Sequence, residues 1–278
     1  MTAMNEFDWQ DGGTGFIIVD GMRLETACFG PGPTQAPTII LLHEGLGCVA
    51  LWRDFPQRLA QQTGFGVFAY SRAGYGQSAP CPLPRPINYM TDEAMQTLPQ
   101  ILDAIGFQRG VLVGHSDGAT IAAVHAGMTG DLRVRGIVLI APHFFAEADG
   151  LELIAKAREK FELGELRDKL AKYHADVDCA FRGWSDAWLD PRFTEWNVAE
   201  SIDYLRIPVL AIQGRDDEYG TLAQIEEIAE RIYSPLDEEI LDGCGHSPHI
   251  EQADKTLQAI SAFTDRLQRI ESEVVPLS

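Results

Sequence analysis

The pentapeptide Gly114-His115-Ser116-Asp117-Gly118 carries the clearest chemistry in this chain. A serine hydroxyl is a poor nucleophile until a neighbouring base takes its proton. The best candidate base is His246, in Asp242-Gly243-Cys244-Gly245-His246. The residue that fits behind it is Asp217, in Gly214-Arg215-Asp216-Asp217-Glu218. A carboxylate there fixes the imidazole tautomer and stabilises the imidazolium. His249, past Pro248, competes with His246 as base, and Asp216 competes with Asp217 as acid. Such a trio performs two-step acyl transfer and needs no metal or organic cofactor, so none is expected.

These residues must be brought to one place by the elements around them. Ser116 follows the apolar run Gly110–Val113 and precedes the helix-compatible stretch Ala119–Met128. Strand, sharp turn and helix is the context that raises a serine at a sheet's carboxyl edge, with flanking glycines relieving the crowding. Asp217 and His246 each come after a strand-like run, Pro208–Gln213 and Glu238–Leu241. Further runs of strand length lie at Thr38–Leu42, Val67–Tyr70 and Gly136–Ala141. Segments this apolar are expected of parallel strands buried on both faces. Gly15–Val19 and Met22–Phe29 read as an opening hairpin turning at Asp20-Gly21.

Helical spacing marks Asp92–Ile105, with Thr91 as a cap, and Thr221–Tyr233, where Leu222, Ile225, Ile228 and Ile232 share a face. Strand and helix alternate, which predicts a mostly parallel sheet flanked by helices. The alternation breaks from about residue 143 to 204, a stretch with helical spacing, no convincing strand and many aromatic residues.

Composition narrows the class. A chain of 278 residues suits one sizeable domain, or a domain plus an insertion, better than two independent cores. Its net charge of −19 repels phosphate backbones and anionic lipid, so neither nucleic acid nor membrane is an expected partner. A small-molecule substrate, and a monomer or homodimer, are expected instead. The five cysteines are scattered without CxxC spacing and read as free thiols in a reducing compartment, which argues for a cytoplasmic protein without a zinc site. The acidic first ten residues do not read as a secretory signal, and the final EVVPLS reads as a loose tail.

Taken together, the motifs resemble those of the α/β-hydrolase superfamily, from His43 to His246. The chain order serine, aspartate, histidine is the one expected of that fold. His43-Glu44-Gly45-Leu46-Gly47 resembles the family's oxyanion loop after the third strand, and Ser71-Arg72-Ala73-Gly74-Tyr75-Gly76-Gln77-Ser78 its arginine-and-glycine turn after the fourth. The resemblance implies an α/β-hydrolase fold: an eight-stranded, mostly parallel sheet flanked by helices. The core would comprise residues 1–142 and 205–278, with residues 143–204 forming a helical cap inserted after the sixth strand. It also implies an oxyanion hole made by the backbone N–H groups of Gly45 and Asp117, and offers Asp149 as an alternative acid.

The relatives implied are capped esterases, enol-lactonases and carbon–carbon bond hydrolases. Hydrolysis of an ester or lactone through an acyl-enzyme is therefore expected first. The alternatives are cleavage of a vinylogous diketone, cofactor-free oxygenation, or a non-catalytic ligand-binding or signalling role. Glu44, Leu46, His115, Phe144, Trp184 and Trp188 are expected to contact a small hydrophobic or aromatic substrate, with the Glu44 carboxylate pointing away from the reacting oxygen. Other aromatics of the insertion, such as Phe145, Tyr173, Phe181, Phe193 and Trp196, would form its core or share the pocket wall. Asp117 would either meet a cationic substrate group or stabilise the first turn of its helix. Arg72 would anchor a loop or bind a substrate carboxylate.

Overall fold

The computed structural model describes residues 7–272; the expected tail at 273–278 and the first six residues lie outside it. Strands Thr14–Val19 (β1) and Met22–Phe29 (β2) form the opening hairpin, and Asp20 and Gly21 both take the positive φ that its tight turn requires. Then follow Thr38–Leu42 (β3), Phe55–Thr63 (α1) and Gly66–Tyr70 (β4). Tyr89–Asp92 (α2) runs through a π-helical turn at Glu93–Thr97 into Leu98–Ala104 (α3). Gly110–His115 (β5) leads into Asp117–Met128 (α4), and Val134–Ile140 (β6) follows.

Between β6 and the next strand lie Ala148–Glu162 (α5), Glu165–Leu170 (α6), Val177–Trp188 (α7) and Glu200–Asp203 (α8), with a single antiparallel bridge between Phe145 and Asn197. The chain returns to the sheet with Val209–Gly214 (β7), Ala223–Arg231 (α9) and Leu236–Leu241 (β8). It ends in Pro248–Glu251 (α10) and Ala253–Ser272 (α11).

The eight strands lie in the order β1-β2-β4-β3-β5-β6-β7-β8. β2 is antiparallel to both neighbours, and every pair from β4 to β8 is parallel. Alternate side chains of the central strands feed two cores, as a period of two demands. Ile40, Leu42, Phe68, Leu112 and Leu139 pack with α2 to α4 and the insertion. Ile39, Leu41, Val67, Val113 and Ile140 pack against Leu59 of α1 and Leu257, Ile260 and Phe263 of α11. No helix among the described residues is long and apolar enough to cross a membrane.

Two local expectations are corrected. Thr91 lies inside the helix, which begins at Tyr89 with Asn88 before it. The π-helical turn precedes Pro99, whose missing N–H cannot donate to the preceding turn. The helix expected over Thr221–Tyr233 is shorter at both ends, because the chain leaves helical geometry at Ile232.

The turn between β5 and α4 packs so tightly that side chains are excluded from it. A Cβ at Gly114 would lie 2.1 Å from the Gly118 carbonyl oxygen, and one at Gly118 would lie 2.0 Å from that of Leu42. The neighbour is backbone of the central strand in the second case, so it cannot yield cheaply. Gly118→Ala is therefore expected to lower unfolding free energy by about 2 kcal/mol or more in urea titration; an unchanged midpoint would contradict this packing.

Candidate active site

Ser116 stands between β5 and α4 at φ 53°, a left-handed conformation that a residue with a side chain adopts only under constraint. Its N–H donates to the Ile140 carbonyl, and its own carbonyl accepts from Ala119 and Thr120, so the strained turn is pinned on both sides. The Ser116 hydroxyl faces His246 Nε2 at 3.0 Å, and His246 Nδ1 lies 2.8 Å from Asp217 Oδ2. The loops after β7 and β8 thus bring the three expected residues into one chain of hydrogen bonds.

The acid at its far end is fully engaged. Oδ2 of Asp217 also accepts from Gln213 Nε2 at 2.9 Å, and Oδ1 accepts from the Tyr219 N–H at 2.8 Å. Burial pushes the Asp217 pKa up, but the His246 hydrogen bond and charge together with the Tyr219 amide outweigh it, and the net shift is downward. A carboxylate held ionised fixes the proton of His246 on Nδ1 and leaves Nε2 free to accept from serine.

The competing candidates stand elsewhere. His249 is buried against Trp52, 4.8 Å between rings, with burial holding its pKa well below the ordinary value. Asp216 and Asp149 are exposed, and neither is paired with a histidine. His43 is structural: its Nδ1 donates to the Glu44 carbonyl and its Nε2 accepts from the Arg72 N–H at 3.0 Å. Among the described residues no three His, Cys, Asp or Glu side chains gather as a metal site would require.

A cavity of about 150 Å³ opens over Ser116 and His246. Gly45 and Leu46 form its floor beside Glu44; Trp184, Trp188 and Ile154 enter from the insertion, and Tyr219 from the loop after β7. A Cβ at residue 45 would lie 2.2 Å from Trp184 Nε1, so a glycine there lets α7 close onto this loop. Glu44, Leu46, Trp184 and Trp188 therefore line the cavity as expected.

Two residues do not. Phe144 is wholly buried beneath the site, its N–H donating to Gln224 Oε1, because the chain leaves β6 along the core. His115 points behind Ser116, where its Nε2 donates to the His246 carbonyl at 2.7 Å and holds that loop. Glu44, a lining residue as expected, has its carboxylate Oε2 3.5 Å from His115 Nδ1. Burial raises the Glu44 pKa, the His115 contact outweighs it, and the carboxylate stays ionised.

Sequence reasoning missed His143, Glu147, Ile154 and Tyr219, which also line the cavity. Burial and the His246 charge lower the His143 pKa to about 3, so its ring is neutral. Only Tyr219 carried a signal, its place two residues after Asp217.

Asp117 takes the second of its two expected places, the first turn of α4, and does not meet the cavity. Its side chain is inaccessible and turned away from the cavity, toward Arg72 and Tyr89. The Tyr89 hydroxyl donates to Asp117 Oδ2 and accepts from Trp188 Nε1 at 2.9 Å. Arg72 Nη2 lies 3.7 Å from the same carboxylate oxygen, while the guanidinium donates to the carbonyls of His43 and Glu44. Arg72 thus anchors the loop after β3. Burial pushes the Asp117 pKa up, and the opposing pull of Arg72 does not cancel it. Among the described residues, the Gly45 and Asp117 N–H groups have no acceptor outside helical pairing, leaving both available beside Ser116.

Removing one member of a buried pair strands the other, at a cost of about 3–5 kcal/mol. Asp117→Ala is expected to lose that much unfolding free energy, and Tyr89→Phe about 1–3 kcal/mol through two unpaired polar atoms. Denaturant titration measures both. Wild-type stability in Asp117→Ala would show that the network holds nothing.

Comparison with known proteins agrees with this architecture. Residues 39–259 match the alpha/beta hydrolase family. Epoxide hydrolase B of Mycobacterium tuberculosis is 30% identical over 124 residues, a match spanning 45% of this chain and only 34% of that enzyme. The enol-lactonase from Burkholderia xenovorans LB400 superposes with a TM-score of 0.70 at 19% identity, over 90% of this chain and 100% of its own. A structure from work on carboxylesterases of the Thaumarchaeon Nitrososphaera gargenis gives 0.73 at 20% identity, covering 92% and 99%. The structural likenesses speak for the fold alone. With the family match extending from β3 to α11, the chain belongs to the alpha/beta hydrolase family.

Proposed function

We propose that this chain is a serine hydrolase that cleaves a carboxylic ester or lactone of a small hydrophobic or aromatic substrate through an acyl-enzyme on Ser116. The observation that carries this reading is the continuous line from the Ser116 hydroxyl through His246 to Asp217, opening into a small cavity with aromatic walls. In the first step Ser116 Oγ attacks the carbonyl carbon as His246 Nε2 takes the hydroxyl proton. The N–H groups of Gly45 and Asp117 receive the tetrahedral oxyanion, a contribution of roughly 3 kcal/mol for each donor. His246 then gives its proton to the leaving oxygen. Water enters, loses a proton to the same imidazole and releases the acid.

The cavity size favours a short acyl or aryl group, since a space of this order accommodates about one benzene ring. Acyl chemistry is favoured over the other reactions of this fold because the Ser116–His246–Asp217 line and two free N–H groups serve a tetrahedral oxyanion directly. The helical insertion serves as a cap: its Trp184 and Trp188 wall the cavity and keep bulk water from the acyl-enzyme.

Ser116→Ala is expected to keep its thermal midpoint and to lose p-nitrophenyl ester turnover by on the order of 10⁴-fold or more. A fluorophosphonate probe is expected to add to Ser116 of the wild type, read by peptide mass spectrometry. Retained turnover in the alanine variant, or labelling elsewhere, would remove Ser116 from the nucleophile's role.

A further inference from the structure

The proposed acyl-transfer site contains a carboxylate that acyl transfer does not require. Glu44 borders the same cavity as Ser116, yet among the described residues no hydrogen-bond donor meets its carboxylate except the His115 ring, at a loose 3.5 Å. Glu147, the other carboxylate of the cavity, is different. It accepts from the Thr221 N–H at 2.9 Å, the Thr221 hydroxyl at 2.6 Å and Gln224 Nε2 at 2.9 Å, so its oxygens are spoken for. No lysine or arginine lines the cavity, and the His143 ring is neutral. The Glu44 charge is steadied on one side by His115, and no cationic side chain meets it from the cavity, a place that a bound cation can fill.

The rest of the wall has the character that alkylated ammonium groups prefer. Trp184, Trp188 and Tyr219 all line this small space, and aromatic rings around a carboxylate attract a cation through their negative faces without demanding N–H donors from it. The approach is negative as well. Beside the cavity, and sharing Glu147, Gly150 and Tyr219 with it, lies a groove that also carries Asp149, Glu152 and Glu218. Its one base, Lys156, is tied to Glu152 at 2.6 Å. A field of that sign repels a carboxylate-bearing substrate and draws in a cation.

We propose that the substrate carries an alkylated ammonium group, held between the Glu44 carboxylate and the aromatic side chains of Trp184, Trp188 and Tyr219. This inference rests on the ester-hydrolase reading and supplies its substrate class. Glu44 is then the specificity-determining residue of the loop after β3, and its place beside the oxyanion amides becomes intelligible. Its charge, met in the free protein by His115 and not by any cation lining the cavity, pairs with the substrate's own cation when the site is filled.

The test separates binding from turnover. Ser116→Ala protein is titrated calorimetrically with acetylcholine and with 3,3-dimethylbutyl acetate, which replaces the cationic nitrogen by carbon at nearly the same shape. The cationic ester is expected to bind at least about tenfold more tightly, with the preference shrinking as salt screens the charges. In Ser116→Ala/Glu44→Gln the ratio of the two affinities is expected to fall to near one. Equal binding of the two esters, or a preference that survives Glu44→Gln, would overturn the ammonium assignment. Turnover of both esters by the wild type reports on the hydrolase reading independently. Hydrolysis without cation preference in binding sinks this inference alone, whereas cation-selective binding without any hydrolysis sinks the ester chemistry alone.

Discussion

The site depends on a single buried cation. Arg72, at the end of β4, donates to the carbonyls of His43 and Glu44 and faces the carboxylate of Asp117 in the first turn of α4. Two loops with no covalent reason to keep their spacing are thereby fixed to each other. Those same loops carry the two amides proposed to receive the oxyanion, so the donor spacing is set from behind by a guanidinium. A planar, always-charged fork suits this task better than a lysine could, because it grips two carbonyls and a carboxylate in one orientation. A buried pair of this kind adds little net stability, its value being the unique arrangement it enforces.

From Asp117 the connection continues into the insertion. The Tyr89 hydroxyl stands between the Asp117 carboxylate and the indole N–H of Trp188, which walls the cavity. The residue that shapes the substrate space is thus hydrogen-bonded, through one tyrosine, to the residue that offers a proposed oxyanion amide. The π-helical turn that follows α2 lies next to this tyrosine, at a point where Pro99 prevents regular helix pairing. Packing of α7 on the loop after β3 adds a direct contact, since Trp184 occupies the space that a side chain at Gly45 would need. Closure of the insertion and geometry of the proposed reaction centre are therefore parts of one packed arrangement.

Much of this was legible in the sequence, for a physical reason that differs by element. Central strands buried on both faces leave unbroken apolar runs, so β3 to β7 could be read directly. Ser116, Asp217 and His246 could be read because glycines and strand ends mark the loops that hold them. The partners of Asp117 and the burial of Phe144 could not be read, because a side chain's direction depends on partners distant in sequence. Asp117 meets Tyr89 and Arg72, 28 and 45 residues upstream. Phe144 follows the line of β6 into the core, although its neighbours in sequence belong to the insertion. His115 illustrates the same limit: its position beside the serine suggested substrate contact, but strand alternation turns it to the opposite side, under the His246 loop.

The electrostatics of the cavity follow from this scaffold. A hydrolase of this fold must keep its oxyanion amides free of nearby negative charge that would cancel their effect. Here Glu44 adjoins Gly45, one of the two amides proposed for that role, and remains ionised. Arg72 meets the backbone carbonyl of Glu44, not its carboxylate, and so does not neutralise it. The His115 ring meets it from one side only, at 3.5 Å, while its other nitrogen is committed to the His246 carbonyl. The loop after β3 therefore combines one of the two proposed amides with a carboxylate that no cation meets from the cavity. An arrangement that keeps both is coherent when a positive group enters with the substrate, because that group masks the carboxylate while the oxyanion forms.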